Sequence, residues 1–171
     1  MAESEWDAWV NGYIINHYEK DDECVFAICR RGAIVGLDGL VWGQVNFQFE
    51  TYQFDQLDDD GNVCNSFTVD EWTNFNTCWE SQGKKMLPGG IRMNNEKFLL
   101  AKFDEDREVM YLTGQNMGAC IAKAGSCFCI GVYYKTGEPL QTSLGNTRNY
   151  SAGNANGAVE NCRTKCVDQG L

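Results

Sequence analysis

Nine cysteines and one histidine are the residues of this chain with the greatest potential for chemistry. A thiolate is both a nucleophile and a metal ligand, and a cysteine nucleophile is often activated by a neighbouring histidine. His17 lies in a polar stretch, and nothing in the sequence places it beside a cysteine. We therefore predict no catalytic residue and no enzymatic activity, with a thiol or metal enzyme as the open alternative.

The pattern of the cysteines favours reduced thiols. Their number is odd, and Cys127 and Cys129 alternate within an apolar run, as small hydrophobic strand residues do. A metal ion could be held by two pairs of cysteines, namely Cys24, Cys29, Cys162 and Cys166. The chain has no Cys-x-x-Cys pair, so we predict no metal site, no disulfides and no cofactor.

The motifs that would bind phosphate or calcium are incomplete. Gly36-Leu37-Asp38-Gly39 and Gly89-Gly90 fit neither GxxxxGK[ST] nor GxGxxG, and they predict turns. The segment Asp58-Asp59-Asp60-Gly61-Asn62 lacks the alternating aspartates and the final glutamate of a calcium loop. It favours a solvated turn.

Aromatic side chains on rigid elements indicate binding. Trp6 and Trp9 lie on a predicted helix, and Trp42 lies on a predicted strand. A proline-rich segment in the polyproline II form is already extended, so it docks between flat rings at a small entropic cost. Indole N–H groups can donate to its carbonyls. These tryptophans are candidates for a proline-binding surface, and the alternative is that they form only core.

The charge of the chain limits its partners. Fourteen basic residues stand against 24 acidic ones, for a formal net charge of −10. This balance disfavours nucleic acids and anionic membranes, which are bound through Lys and Arg. No apolar run approaches the roughly 20 residues of a transmembrane segment, and the acidic start is not typical of a signal peptide. We expect a soluble, unprocessed cytoplasmic protein that binds other proteins.

Helix and strand patterns alternate along the chain. Ser4 and Asp7 predict a capping box for a helix that continues to Ile14, and an Asp-Gly turn at residues 38–39 predicts a β-hairpin. A second capping box, from Thr68 to Glu71, predicts a helix that ends at Gly83. Short apolar runs predict strands over residues 91–93, 97–103, 109–113, 119–123 and 127–134.

After a predicted loop at 135–154, a last helix carries Ala155, Val159, Cys162 and Cys166 on one face. We predict an α+β fold with a central antiparallel β-sheet flanked by helices, in which the N- and C-terminal helices pack on one face. A single domain would span residues 1–171, with an extended acidic and aromatic insertion around 51–67. The segment 18–31 also looks extended.

Several segments, taken in order, resemble the profilin family. Ser4-Glu5-Trp6-Asp7-Ala8-Trp9-Val10 is similar to its amino terminus, and residues 36–44 are similar to its Gly-x-Asp-Gly-x-Val-Trp-Ala strand pair. Residues 118–123 and 130–133 resemble two late strands, and the chain ends as many profilins do, with Asp168-Gln169-Gly170-Leu171. The resemblance is greatest for ciliate profilins, through the segment Gly90 to Lys97.

The resemblance implies a cytoskeletal protein with two kinds of partner, monomeric actin and proline-rich proteins such as formin-type assembly factors. Matched by position, the proline site comprises Trp6, Trp9, Trp42 and Leu171. The actin site comprises Lys102, Tyr111, Thr113, Gly153, Asn156 and Glu160. The strand at 109–113 lacks the basic cluster usual in the family, so phosphoinositide binding should be weak or absent. The alternative is a proline-motif adaptor on the same fold with weak or lost actin binding.

Overall fold

A seven-stranded antiparallel sheet forms the centre of the structure. This computed structural model describes residues 4–18, 24–135, 140–141, 147–148 and 152–171, and only the backbone of residues 17–18, 24–27, 140–141 and 147–148. The strand order is β4-β3-β11-β10-β9-β8-β7. From β7 to β11, each strand therefore pairs with the next strand along the chain. The hairpin β3–β4 extends the sheet on the other side of β11, where β3 pairs with β11.

The described residues contain three α-helices: α1 (Glu5–Val10), α2 (Glu71–Glu80) and α3 (Ala152–Asp168). The strands are β1 (Asn16–Tyr18), β2 (Cys24–Ala27), β3 (Arg31–Gly36), β4 (Val41–Val45), β5 (Thr51–Leu57), β6 (Val63–Asp70), β7 (Ile91–Met93), β8 (Glu96–Asp104), β9 (Val109–Thr113), β10 (Met117–Lys123), β11 (Cys127–Tyr134), β12 (Leu140–Gln141) and β13 (Thr147–Arg148). Three further antiparallel pairs lie outside the central sheet: β1–β2, β5–β6 and β12–β13.

Each face of the central sheet buries its own core. On one face, α1 and α3 cover a cluster that includes Val10, Ile14, Val159 and Cys162. On the other face, α2 covers an aromatic cluster built around Phe75 and Phe128. The prediction of an antiparallel sheet with both terminal helices on one face is confirmed.

The first helix begins as predicted and ends differently. The Ser4 hydroxyl accepts from the Asp7 N–H, the Asp7 carboxylate accepts from the Ser4 N–H, and these two bonds complete the capping box. After Val10 the chain continues as a π-helical turn, Asn11–Ile15. This turn buries Ile14 and Ile15, while Trp6 and Trp9 remain half-exposed.

The predicted capping box at Thr68 is wrong. Thr68 still lies in β6, where its hydroxyl accepts from the Gln53 side chain at 2.6 Å. Asp70 is the N-cap of α2, because its carboxylate accepts from the Thr73 N–H at 3.0 Å. Glu71 turns inward and is fully buried.

The predicted insertion at 51–67 corresponds to the hairpin β5–β6. Its tip is the acidic turn, where Asp58 Oδ1 accepts from the backbone N–H groups of Asp60 and Asn62, at 3.0 and 2.9 Å. Tyr52, Phe54 and Phe67 are the half-buried aromatics of the hairpin. The predictions for segment 18–31 and loop 135–154 lie partly outside the described residues, which include strands β2, β12 and β13 within these ranges.

Candidate functional site

Three of the residues predicted for proline binding form one aromatic cluster. The Trp6 ring lies 5.3 Å from that of Trp9 and 5.4 Å from that of Trp42, measured between centroids. Tyr13 extends the cluster with an edge contact to Trp9 at 5.4 Å. Trp6, Trp9, Tyr13 and Trp42 are all only partly buried, so their rings combine core packing with an accessible surface.

A groove of about 270 Å³ lies between α1 and the end of α3. Glu5, Trp6, Trp9, Gln169 and Leu171 line it. Trp42 supports the groove by packing against Trp6 and is not among the lining residues. Leu171 is held in place because its N–H donates to the Cys166 carbonyl at 3.0 Å and its carbonyl accepts from Gly125. The fold thus brings together the four residues predicted for proline binding.

Two local features fix α1 against β4. The Asp7 carboxylate accepts from the Gln44 N–H at 2.7 Å, and this bond is the main cause of the lowered pKa of Asp7. Gly43 permits the close approach, since a Cβ there would lie 2.4 Å from the carbonyl carbon of Trp6. The position of the Trp6 ring therefore depends on a glycine in the facing strand.

The residues predicted for actin binding lie around α3 and strands β8 and β9. Lys102 and Tyr111 are directly opposite each other in the β8–β9 register, which places both side chains on the α3 side of the sheet. Lys102 is largely exposed, and its ammonium lies 3.7 Å from the Asp104 carboxylate. Thr113 accepts a hydrogen bond from Lys135, and Gly153 is exposed in the first turn of α3.

Glu160 is the centre of a charged network on this face. Its carboxylate accepts from Asn156 at 2.7 Å, from Arg163 at 3.0 Å and from Arg107. The paired carboxylate raises the pKa of Arg107, and burial raises that of Tyr111, whose charged neighbours include Arg107 and Glu160. Asn156 and Glu160 thus lie together, with Glu160 already paired to two guanidinium groups.

Three cations on this face escaped the sequence analysis: Arg107, Lys135 and Arg163. Arg163 could have been found, because a pair at i and i+3 on a helix is a readable signal. Arg107 is 53 residues from Glu160 and lies in the turn between β8 and β9, so only the fold brings the two together. Positive charge is therefore present beside β9, although β9 itself carries none.

The cysteine grouping considered from the sequence is wrong. Cys29 is buried beside Cys120, and Cys24 lies outside the residues whose side chains are described. Burial raises the pKa of Cys120 to about 12. Cys162 and Cys166 instead face the strand cysteines Cys127 and Cys129. Cys127, Cys129 and Cys166 form a possible metal-ligating set among the described side chains, and the thiol of Cys162 interacts with those of Cys129 and Cys166.

Known proteins are similar to this chain in sequence and in architecture. The profile of the Profilin family matches residues 4–171. A profilin of Tetrahymena pyriformis is 33% identical over 104 residues, which are 60% of this chain and 66% of that protein, slightly under two thirds of its length. Profilin IA of Acanthamoeba castellanii superposes with a TM-score of 0.60 at 16% identity, over 98% of this chain and 100% of that one.

A structure of mouse profilin IIa in complex with a double repeat from the FH1 domain of mDia1 superposes with a TM-score of 0.50 at 15% identity. It covers 98% of this chain and 100% of the mouse chain. These structures share the fold: a small α+β protein with its terminal helices on one face of an antiparallel sheet. The chain belongs to the profilin family, which confirms the resemblance seen in the sequence.

Proposed function

We propose that this protein binds monomeric actin and regulates its polymerisation, and that it binds proline-rich segments through the groove between α1 and α3. The observation that carries this proposal is the aromatic groove itself, formed by Trp6, Trp9 and Leu171 in a chain of the profilin family. The function is binding, without catalysis. Its place of action would be the cytoplasm and the cytoskeleton.

The groove suits a polyproline II helix chemically. The rings of Trp6 and Trp9 meet edge to face at 60°, so they offer two differently inclined apolar walls to the ridges of the ligand. Gln169 and the two indole N–H groups can donate hydrogen bonds to the ligand's carbonyls, which have no partner within a polyproline II helix. The mouse relative was solved with an FH1 repeat, which supports formin-type partners.

The actin surface would comprise Lys102, Tyr111, Thr113, Gly153, Asn156 and Glu160. Lys102 is the exposed cation of this set, with 66% of its side chain accessible. Arg107 and Arg163 neutralise Glu160, so the complex should depend on shape and hydrogen bonding more than on long-range attraction. Weak or absent phosphoinositide binding would follow from the net charge of −10.

A second candidate function is a proline-motif adaptor that has weak or lost actin binding. Two observations favour it: β9 contains no cation, and Glu160 already pairs with a guanidinium group of the protein itself. The two candidates differ in their effect on spontaneous assembly of pyrene-labelled actin. A regulator slows assembly in proportion to its concentration, and an adaptor leaves assembly unchanged.

The proline half of the proposal is tested by Trp9→Ala. Removing this ring should weaken binding of a proline-rich peptide about 30-fold, because truncating an aromatic anchor typically costs about 2 kcal/mol. Isothermal titration calorimetry measures the affinity. The matched control is Trp72→Ala, since Trp72 is also half-buried but packs on the opposite face of the sheet. Unchanged affinity of a folded Trp9→Ala variant would rule out this groove.

A further inference from the structure

Four buried cysteines converge between the sheet and α3. The Sγ atoms of Cys127, Cys129 and Cys166 lie within 4.8 Å of one another. The thiol of Cys162 interacts with those of Cys129 and Cys166. All four residues are fully buried, with 0% relative exposure each.

The secondary structure fixes this convergence. Residues two apart on a strand point to the same side of a sheet, so Cys127 and Cys129 of β11 both face α3. Residues four apart on a helix share a face, so Cys162 and Cys166 both face β11. The strand end is anchored by a tight turn, in which the Ala124 N–H donates to the Cys127 carbonyl at 2.8 Å.

We propose that this four-cysteine cluster binds one zinc ion as a structural site. Four thiolates form a closed tetrahedral site, which is typical of structural zinc in proteins. With Zn–S bonds of about 2.3 Å, neighbouring sulfurs of such a site lie about 3.8 Å apart, so the sulfurs of Cys127, Cys129 and Cys166 need to approach by no more than about 1 Å. Cys162 would supply the fourth ligand from the same face of α3 as Cys166. On binding, each coordinating thiol releases its proton to solvent.

The site would join α3 to the sheet. It lies at the carboxyl-terminal half of α3, directly before Gln169 and Leu171, which line the aromatic groove. The N–H of Leu171 donates to the carbonyl of Cys166, so this ligand is linked to the groove by one hydrogen bond. Zinc would hold the end of the helix, and with it one wall of the groove, against β11.

The test is the metal content of the full-length protein, purified with a reductant and without chelators. Elemental analysis should find about one zinc per chain, and Cys166→Ser should reduce this at least about tenfold. The matched control is Cys78→Ser, because Cys78 is equally buried but belongs to the other core. It should retain the metal.

Cobalt substitution of the wild-type protein gives a second readout that does not depend on a variant folding. Cobalt should produce the intense visible absorption of a tetrahedral thiolate site, and added zinc should abolish it. The proposal would be overturned if cobalt added to the metal-free protein produced no such spectrum and all nine thiols titrated as free. A disulfide joining two cluster cysteines in protein freshly purified with a reductant would also overturn it.

Discussion

The carboxylates of two glutamates, Glu160 and Glu71, lie in very different surroundings. Glu160 lies at the surface, where its partners are two guanidinium groups and an amide. Glu71 is fully buried, and the donors to its carboxylate in the described part of the chain are uncharged groups. It accepts instead from the Glu50 N–H at 2.8 Å, the Asn95 N–H at 2.9 Å and the Tyr52 hydroxyl at 3.0 Å. These bonds tie α2 to the β5–β6 hairpin and to the β7–β8 turn.

Burial raises the pKa of Glu71 above its ordinary value of 4.5, although its hydrogen bonds oppose the shift. Because the folded-state pKa is the higher one, protonating Glu71 stabilises the fold. This contribution is fully present below about pH 4.5 and is lost as the pH rises through the folded-state pKa.

We therefore predict two effects of Glu71→Gln. At pH 7 it should lower the free energy of unfolding by about 1–3 kcal/mol, because an amide has one oxygen for the three donors that the buried carboxylate accepts from. The difference from the wild type should then widen as the pH falls toward 4.5, since only the wild type gains a proton at this position. Urea unfolding across this range measures both effects.

Glu80→Gln is the control, because Glu80 is an exposed carboxylate on the same helix. It should remain within about 0.5 kcal/mol of the wild type at pH 7. A stability difference for Glu71→Gln that stays constant or narrows at low pH would contradict the assigned role of Glu71.

At the scale of single residues, the sequence revealed the aromatic side chains of the groove but not the contacts of the charged residues elsewhere in the fold. Trp6, Trp9 and Trp42 were readable because helical spacing and an Asp-Gly turn place them on adjoining elements. The burial of Glu71 was not readable, since its local pattern fits a capping box equally well. The contact between Arg107 and Glu160 joins distant segments, and no local signal encodes it.

At the scale of elements, the docking of α1 on β4 decides the shape of the groove. The helix is only six residues long, so tertiary packing must supply most of its stability. Its capping box, the bond between Asp7 and Gln44, and the contact at Gly43 are the interactions that hold it.

We predict that Gly43→Ala displaces α1. The added Cβ would lie 2.5 Å from the Trp6 carbonyl oxygen, which is backbone and cannot rotate away. Such overpacking typically costs about 1–3 kcal/mol, and proline-peptide affinity should fall with it because Trp6 moves. Gly12→Ala is the control, since a Cβ at Gly12 meets nothing within 4 Å. Unfolding and calorimetry test both variants, and an unaltered peptide affinity for Gly43→Ala would contradict the prediction.

The predicted strands over 91–134 agree closely with β7 to β11, because apolar runs and polar turns alternate there. The strands β5 and β6 were missed as strands, since most of their side chains are exposed and they lack a clear apolar alternation. The π-helical turn was also missed. Its residues continue the apolar spacing of an α-helix, so the pattern does not distinguish the two.

At the scale of the whole molecule, α3 joins the two proposed surfaces. Asn156 and Asp168 are separated by about 18 Å of helix, at about 1.5 Å per residue. The proposed actin residues lie toward the first half of α3, and the groove lies at its end. Two partners could therefore bind at once without competing for the same residues.

No helix in the described part of the chain is long and apolar enough to cross a bilayer.

The most direct test of this account is sedimentation velocity with monomeric ATP-actin and a fluorescent proline-rich peptide. We predict that the peptide sediments with a complex of this protein and actin, at the rate of the ternary assembly. Actin should not displace the peptide, and the Trp9→Ala variant should carry actin but little peptide. A failure to bind actin would contradict the proposed regulator and favour the proline-motif adaptor instead. Displacement of the peptide by actin would contradict the separation of the two surfaces.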